Sequence, residues 1–152
     1  MSSGAQVRLI PPVVYFGPFT LMWALHWRLP WTIPGGSATS VAGLALVLIG
    51  IALTFWAAAT LRGMNTTIIP WDPVSAIVST GPFRFSRNPI YLADAIAYLG
   101  ASLLIHSWWP LLVLPAVLLV MQRKVVDREE RYLTERFGEA YREYQARVRR
   151  WA

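Results

Sequence analysis

Two short stretches carry the residue types that can do chemistry. The first is Gly81-Pro82-Phe83-Arg84-Phe85-Ser86-Arg87-Asn88-Pro89-Ile90-Tyr91. Asn is a favoured helix N-cap and Pro a favoured first helical residue, so a helix is predicted to start at Pro89. Such a start presents unpaired backbone N–H groups, which favour an anion such as a carboxylate or phosphate. Arg84 and Arg87 add positive charge beside it, and Tyr91 falls in the first turn. A well-capped helix flanked by snorkelling arginines has the same composition and needs no ligand.

The second stretch is Asp127-Arg128-Glu129-Glu130-Arg131. Neighbouring Glu129 and Glu130 point roughly 100° apart on a helix, so one can face inward while the other is solvated. An inward carboxylate can hold an ammonium group, sit in the field of a sulfonium, or take a proton from an amine. A solvated charge run has the same look. Asp94 is a third position of interest, an ionisable residue a little over one turn inside an apolar stretch. Near a helix start the dipole alone can stabilise it. His26 and His106 stand alone, and no His/Asp/Glu spacing makes a metal site. There is no cysteine, hence no thiolate ligand, thiolate nucleophile or disulfide framework.

The elements that must position these residues are set by composition. The chain has 152 residues, of which 55% are hydrophobic and 14% charged, with eight tryptophans and a net charge of +6. A soluble domain carries roughly 25% charged residues, so lipid is read as the main solvent. The positive charge does not indicate nucleic acid, because the basic residues flank apolar spans as cytoplasmic membrane flanks do. The first six residues lack a charged n-region, so the first apolar run is read as a retained span rather than a signal peptide.

Four spans are predicted, over residues 9–27, 41–61, 90–105 and 109–126. The first is interrupted by Pro11, Pro12 and Pro18; the second has neither charge nor proline. A Pro-Gly-Gly-Ser turn is expected between them, within residues 31–40. Residues 90–122 hold one charge, Asp94, and as one helix would be roughly 50 Å long, too long for a single crossing. A hairpin reversing near His106-Ser107-Trp108-Trp109-Pro110 puts residues 62–89 and 123–152 on one side, with twelve of the fourteen Lys/Arg residues. That is the positive-inside arrangement, with both termini cytoplasmic. Residues 62–89, rich in Pro and Gly, cannot form a regular helix and must lie in water, at the interface or against protein. Beyond residue 126, Leu133, Phe137, Tyr141, Tyr144, Val148 and Trp151 recur at helical spacing, an amphipathic cytoplasmic helix that Gly138 can break. It reads equally well as an interfacial anchor on anionic lipid. The fold class expected is therefore an all-α integral membrane protein forming one domain.

The two stretches also carry a resemblance. Gly81-Pro82-Phe83-Arg84 through Arg87-Asn88-Pro89-Ile90-Tyr91 resembles a signature of the isoprenylcysteine carboxyl methyltransferase family, whose superfamily includes phospholipid N-methyltransferases. Glu129-Glu130-Arg131-Tyr132-Leu133, then Phe137-Gly138-Glu139-Ala140-Tyr141 and Tyr144, looks like its second block. Thr66-Thr67, Pro70 and Pro73 resemble the run upstream in short bacterial members, so a prokaryotic inner membrane is implied. The likeness covers residues 63–151 or so. It implies S-adenosylmethionine bound at the cytoplasmic side by Gly81, Arg87, Asn88, Pro89, Tyr91, Glu129, Glu130 and Tyr141. It also implies an opening to the membrane for a lipophilic substrate. Glu129 and Glu130 are the expected catalytic residues. The family's better-known eukaryotic members have His where Asn88 stands; Asn keeps the hydrogen bonding but cannot titrate. Two other readings compete, an NADPH-dependent sterol-reductase-like enzyme and a non-catalytic scaffold that binds a protein partner.

Overall fold

The computed structural model describes residues 10–64 and 76–151. Within them the chain forms six α-helices: α1 (Pro11–Arg28), α2 (Gly36–Gly63), α3 (Pro89–Leu104), α4 (Trp108–Met121), α5 (Asp127–Phe137) and α6 (Glu139–Arg147). A 3₁₀ turn, Gly81–Arg84, precedes α3, and a π-helical turn, Gln122–Val126, joins α4 to α5 without a break. No strand forms among the described residues. Two isolated bridges, Thr32 with Ser107 and Ser86 with Arg149, tie distant segments instead.

Each apolar stretch expected from the sequence is a helix. Of these, α2 and the continuous run from Trp108 to Phe137 are long and apolar enough to cross a membrane, while α3 is apolar but shorter. Only 17% of the most apolar window of α2 is buried, which a soluble core helix would not tolerate. Val41, Leu48, Phe55 and Leu112 all point outward. The charged residues of the long run begin at Arg123, so its uncharged part is residues 108–122.

α2 and α3 pack antiparallel along a seam of small residues. Gly43, Gly50 and Ala57 recur every seven residues, which keeps one face of α2 on its neighbour. A Cβ on Gly43 would lie 2.8 Å from the Gly100 carbonyl oxygen, and one on Gly50 would lie 2.7 Å from that of Ala93. Only glycine allows the two backbones so close, the usual way membrane helices gain packing without a hydrophobic drive. α1 and α4 also run antiparallel, meeting where the Trp109 indole donates to the Leu29 carbonyl at 2.7 Å. Tyr15, Tyr91, Tyr98, Val117, Met121, Val125 and Val126 form the central core shared by α1, α3, α4 and the π turn.

Three boundaries are set by particular residues. α2 starts at Gly36, five residues early, because Gly35 and Gly36 take positive φ of 128° and 54° and complete the turn before it. The reversal between α3 and α4 falls at His106, at φ 49°, and Pro110 lies inside the first turn of α4, where its missing N–H costs nothing. The C-terminal amphipathic stretch is two helices, broken at Gly138, whose φ of 55° no other residue type adopts as readily.

The end of the bundle away from α5 is closed by polar contacts. Ile33 N–H donates to the His106 carbonyl at 2.9 Å and Trp108 N–H to that of Trp31 at 3.0 Å. His106 Nε2 lies 2.9 Å from Ser40 Oγ, and Trp31 packs on Trp108 and Trp109. Thus His106 is a structural tie. The side chain of His26 leaves a buried Nδ1 with no partner among the described residues.

Candidate active site

The described parts of the two charged segments, 76–89 and 127–151, lie together at the other end. α3 delivers Tyr91, its third residue, and α5 delivers Glu129. The Tyr91 hydroxyl donates to Glu129 Oε1 at 2.6 Å, joining the two motif stretches directly. Burial pushes the Glu129 carboxyl up to about 7; the Tyr91 bond pulls it back and the charge of Glu130 pushes it further.

Glu130 does not point to solvent. Its side chain is 9% exposed and receives Arg87 Nη2 at 3.3 Å. Arg150 forks onto it, Nε to Oε1 at 3.1 Å and Nη2 to Oε2 at 2.5 Å, and Arg150 Nη1 also reaches Asp127 at 3.2 Å. The bond to Glu130 raises Arg150 above its ordinary range, opposed by burial. Both glutamates thus have protein partners, where the sequence left room for one to be solvated. The π turn inserts extra residues before α5 and turns its start so that both carboxylates find protein partners.

Asn88 sits at the N-cap position of α3, and Pro89 opens the helix as expected. The Asn88 side chain, however, makes no capping bond. Its Nδ2 donates instead to the Arg150 carbonyl at 3.0 Å, joined there by Ser86 Oγ at 3.3 Å. Arg87 N–H donates to the Arg149 carbonyl at 3.0 Å, so residues 148–151 lie as an extended strap beside residues 86–88. The local capping preference loses to a tertiary acceptor. Arg87 Nε is buried with no partner, although the same side chain is bound to Glu130.

The aromatic stripe packs on protein rather than serving only as a surface anchor. Tyr141, Tyr144 and Val148 form a second buried cluster against Ile77, Leu133 and Phe137. The Tyr144 hydroxyl donates to the Phe83 carbonyl at 2.7 Å, and burial pushes that phenol up to about 12. Tyr141 is raised beyond the usual phenol range, first by burial and then by the charge of Glu130. Trp151 leaves the stripe and joins the central core, its indole donating to Gln122 Oε1 at 3.3 Å.

Of the expected site residues, Arg87, Asn88, Pro89, Tyr91, Glu129, Glu130 and Tyr141 gather here. Gly81 serves the turn: at φ 56° it faces Thr60 of α2, whose Oγ1 would stand 2.5 Å from a Cβ. Arg84 is exposed and stacks over Phe85, 4.8 Å from the ring centre. Asp94 is half-buried, with no hydrogen bond or ion pair among the described residues. The run Thr66, Thr67, Pro70, Asp72 and Pro73 lies outside the described residues. Sequence reasoning missed Arg150, Asp127 and Ser86. Val148-Arg149-Arg150-Trp151 does not alternate apolar with polar residues, so no local pattern marked it as an extended segment.

An apolar groove of about 530 Å³ runs between α1 and α4, lined by Ile10, Val13, Val14, Pro18, Val113 and Val120. Val14 in its wall packs on the core that holds Tyr15 and Tyr91. Among the described residues no group of His, Asp and Glu could hold a metal ion.

The chain belongs to the phospholipid methyltransferase family, whose profile matches residues 38–140, from α2 to the start of α6. With its two long apolar helices, that makes it a membrane protein of a methyltransferase family. It is similar to the cobalt-zinc-cadmium resistance protein CzcN of Cupriavidus metallidurans, 25% identical over 123 residues, 81% of this chain and 51% of that one. The chain thus spans about half the length of that relative. It is also similar to an uncharacterized protein of Haemophilus influenzae, 34% identical over 62 residues, 41% of this chain and 78% of the relative. The family match favours the methyltransferase reading over the reductase and scaffold alternatives.

Proposed function

We propose that the protein is an S-adenosylmethionine-dependent methyltransferase acting on a lipophilic or amphiphilic small molecule at the cytoplasmic face of the inner membrane, with α1 to α4 as four crossings. The observation that carries this reading is the Tyr91–Glu129 bond. It joins the two stretches that resemble the family's motifs, in a chain that belongs to that family. The residues suit the cofactor. The first turn of α3 has no side-chain cap and Arg87 Nε is unpaired and buried, both suited to a carboxylate. Glu129 suits a positive centre.

When bound, S-adenosylmethionine would supply a sulfonium methyl group for transfer to an acceptor lone pair, with the neutral thioether as leaving group. The chain supplies alignment, desolvation and charge placement. Tyr91 fixes the Glu129 carboxylate, and α6 covers the cleft with Tyr141 and Tyr144. A carboxylate acceptor needs no base; an amine must lose a proton, and Glu129, poised near neutrality, accepts it. The groove between α1 and α4 suits an acyl or prenyl chain entering from lipid.

Calorimetry with S-adenosylhomocysteine on the detergent-purified protein tests the reading. Binding by the wild type, weakened by Glu129→Gln and by Asn88→Ala, is expected. A wild type that does not bind sinks it. Lipid extracts incubated with labelled methyl donor then identify the acceptor.

A further inference from the structure

The strap formed by residues 148–151 lies beyond the residues matched by the family profile, which end at 140. It nevertheless touches both motif stretches through one residue. The backbone carbonyl of Arg150 takes the Asn88 and Ser86 side chains, and its guanidinium takes Glu130 and Asp127.

Each contact has a consequence for the cleft. Asn is among the strongest N-caps, and a free Asn88 amide would turn back to satisfy the first-turn N–H groups of α3. Held by Arg150, it leaves them uncapped. A buried Glu130 facing Arg87 alone would keep a poorly compensated charge, and a single 3.3 Å contact would not fix its orientation. The planar fork of Arg150 supplies both charge and direction. Glu129 is then left with a neutral hydroxyl, that of Tyr91, as its hydrogen-bond partner among the described residues.

We infer that Arg150 is a positioning residue of the S-adenosylmethionine site: its carbonyl holds Asn88 off the start of α3 and its guanidinium holds Glu130, leaving that helix start and Glu129 to the ligand. This rests on the function proposed above. It assigns the strap to the site's machinery and predicts that the site is incomplete without it.

The test compares wild type, Arg150→Met and Arg150→Lys in lipid nanodiscs, titrating S-adenosylhomocysteine from pH 5.5 to 8.5 and recording thermal unfolding alongside. Met keeps the stem and loses the charge; Lys keeps the charge and loses the fork. Affinity is expected to fall about tenfold in Arg150→Met and about threefold in Arg150→Lys, with unfolding temperatures close to wild type. The acid limb of the affinity curve should also move upward. The charged and titratable groups facing Glu129 are Glu130, Tyr91 and Tyr141, with Arg87, Arg150 and Asp127 behind Glu130, so removing Arg150 leaves more negative charge beside Glu129.

Wild-type affinity in both variants overturns the inference and leaves the proposed function standing. Weaker binding with an unmoved acid limb makes Arg150 a fold residue and also overturns it. No binding by the wild type defeats the proposed function first, and the inference with it. Should Arg150→Met not fold, Arg150→Lys decides: wild-type affinity and an unmoved limb overturn the requirement for the fork.

Discussion

The Tyr91 hydroxyl and Glu129 Oε1, 38 residues apart in the chain, meet at 2.6 Å across the start of α3 and the first turn of α5. The bond favours the charged carboxylate, while burial and Glu130 favour the neutral one. The balance leaves Glu129 near neutrality, where a small change in its surroundings alters its charge.

Tyr91→Phe removes the one contact that lowers Glu129. The midpoint of the acid limb of methyl transfer should rise by roughly one pH unit. Rates at pH 6.5 should fall more than rates at pH 8.5. A pH–rate profile of labelled methyl incorporation checks this; parallel profiles with an unmoved limb would refute it.

Glu129→Gln should change stability in a pH-dependent way. A carboxyl raised from its ordinary value to about 7 binds its proton more tightly in the folded state. Its stabilising effect is thus present at low pH and is lost as pH rises through about 7. The variant should unfold at a higher temperature than wild type at pH 8 and at about the same temperature at pH 5. Thermal unfolding at both pH values reads the difference, and an equal shift at both would contradict the assignment.

Gly50→Leu drives a side chain into the Ala93 carbonyl, which already stands 2.7 Å from where a Cβ would go. Overpacking of this kind costs about 2–3 kcal/mol. Leu48→Ala, on the 55% exposed outer side of the same helix, should change stability by roughly 0.5 kcal/mol or less. Reversible unfolding in mixed micelles compares the two; equal costs would mean that the α2–α3 seam is not closely packed.

Tyr144→Phe deletes the bond to the Phe83 carbonyl and keeps the ring in its cluster. A loss of about 1 kcal/mol is expected, with the cofactor affinity little changed. A tenfold drop in affinity with unaltered stability would instead place the hydroxyl on the ligand.

Much of this arrangement was legible in the sequence because it follows local rules. Pro89 announces the start of α3, the uninterrupted apolar run announces α2, and the 4-4-3-4 spacing from Leu133 identifies the face that packs on Ile77. What stayed hidden depends on contacts between distant segments. Arg150 belongs to a run of arginines that reads as a solvated tail, and nothing local shows that residue 149 pairs with residue 86. Asn88 shows the same limit from the other side: its local preference is clear, and a carbonyl 62 residues away overrides it. The π turn has no composition of its own, so the joint rotation of Glu129 and Glu130 toward protein could not be read from their spacing.

The Trp and His contacts that join the two loops at the far end of the bundle have a mechanical consequence. Helices pinned at one end behave as levers about that pin, and the displacement from any tilt grows with distance from it. His106, Ser40 and the tryptophans hold this end, and the groove residues Ile10 and Val120 lie far from it. Any tilt of α1 against α4 therefore displaces the groove residues near Ile10 and Val120 more than those near Leu29 and Trp109.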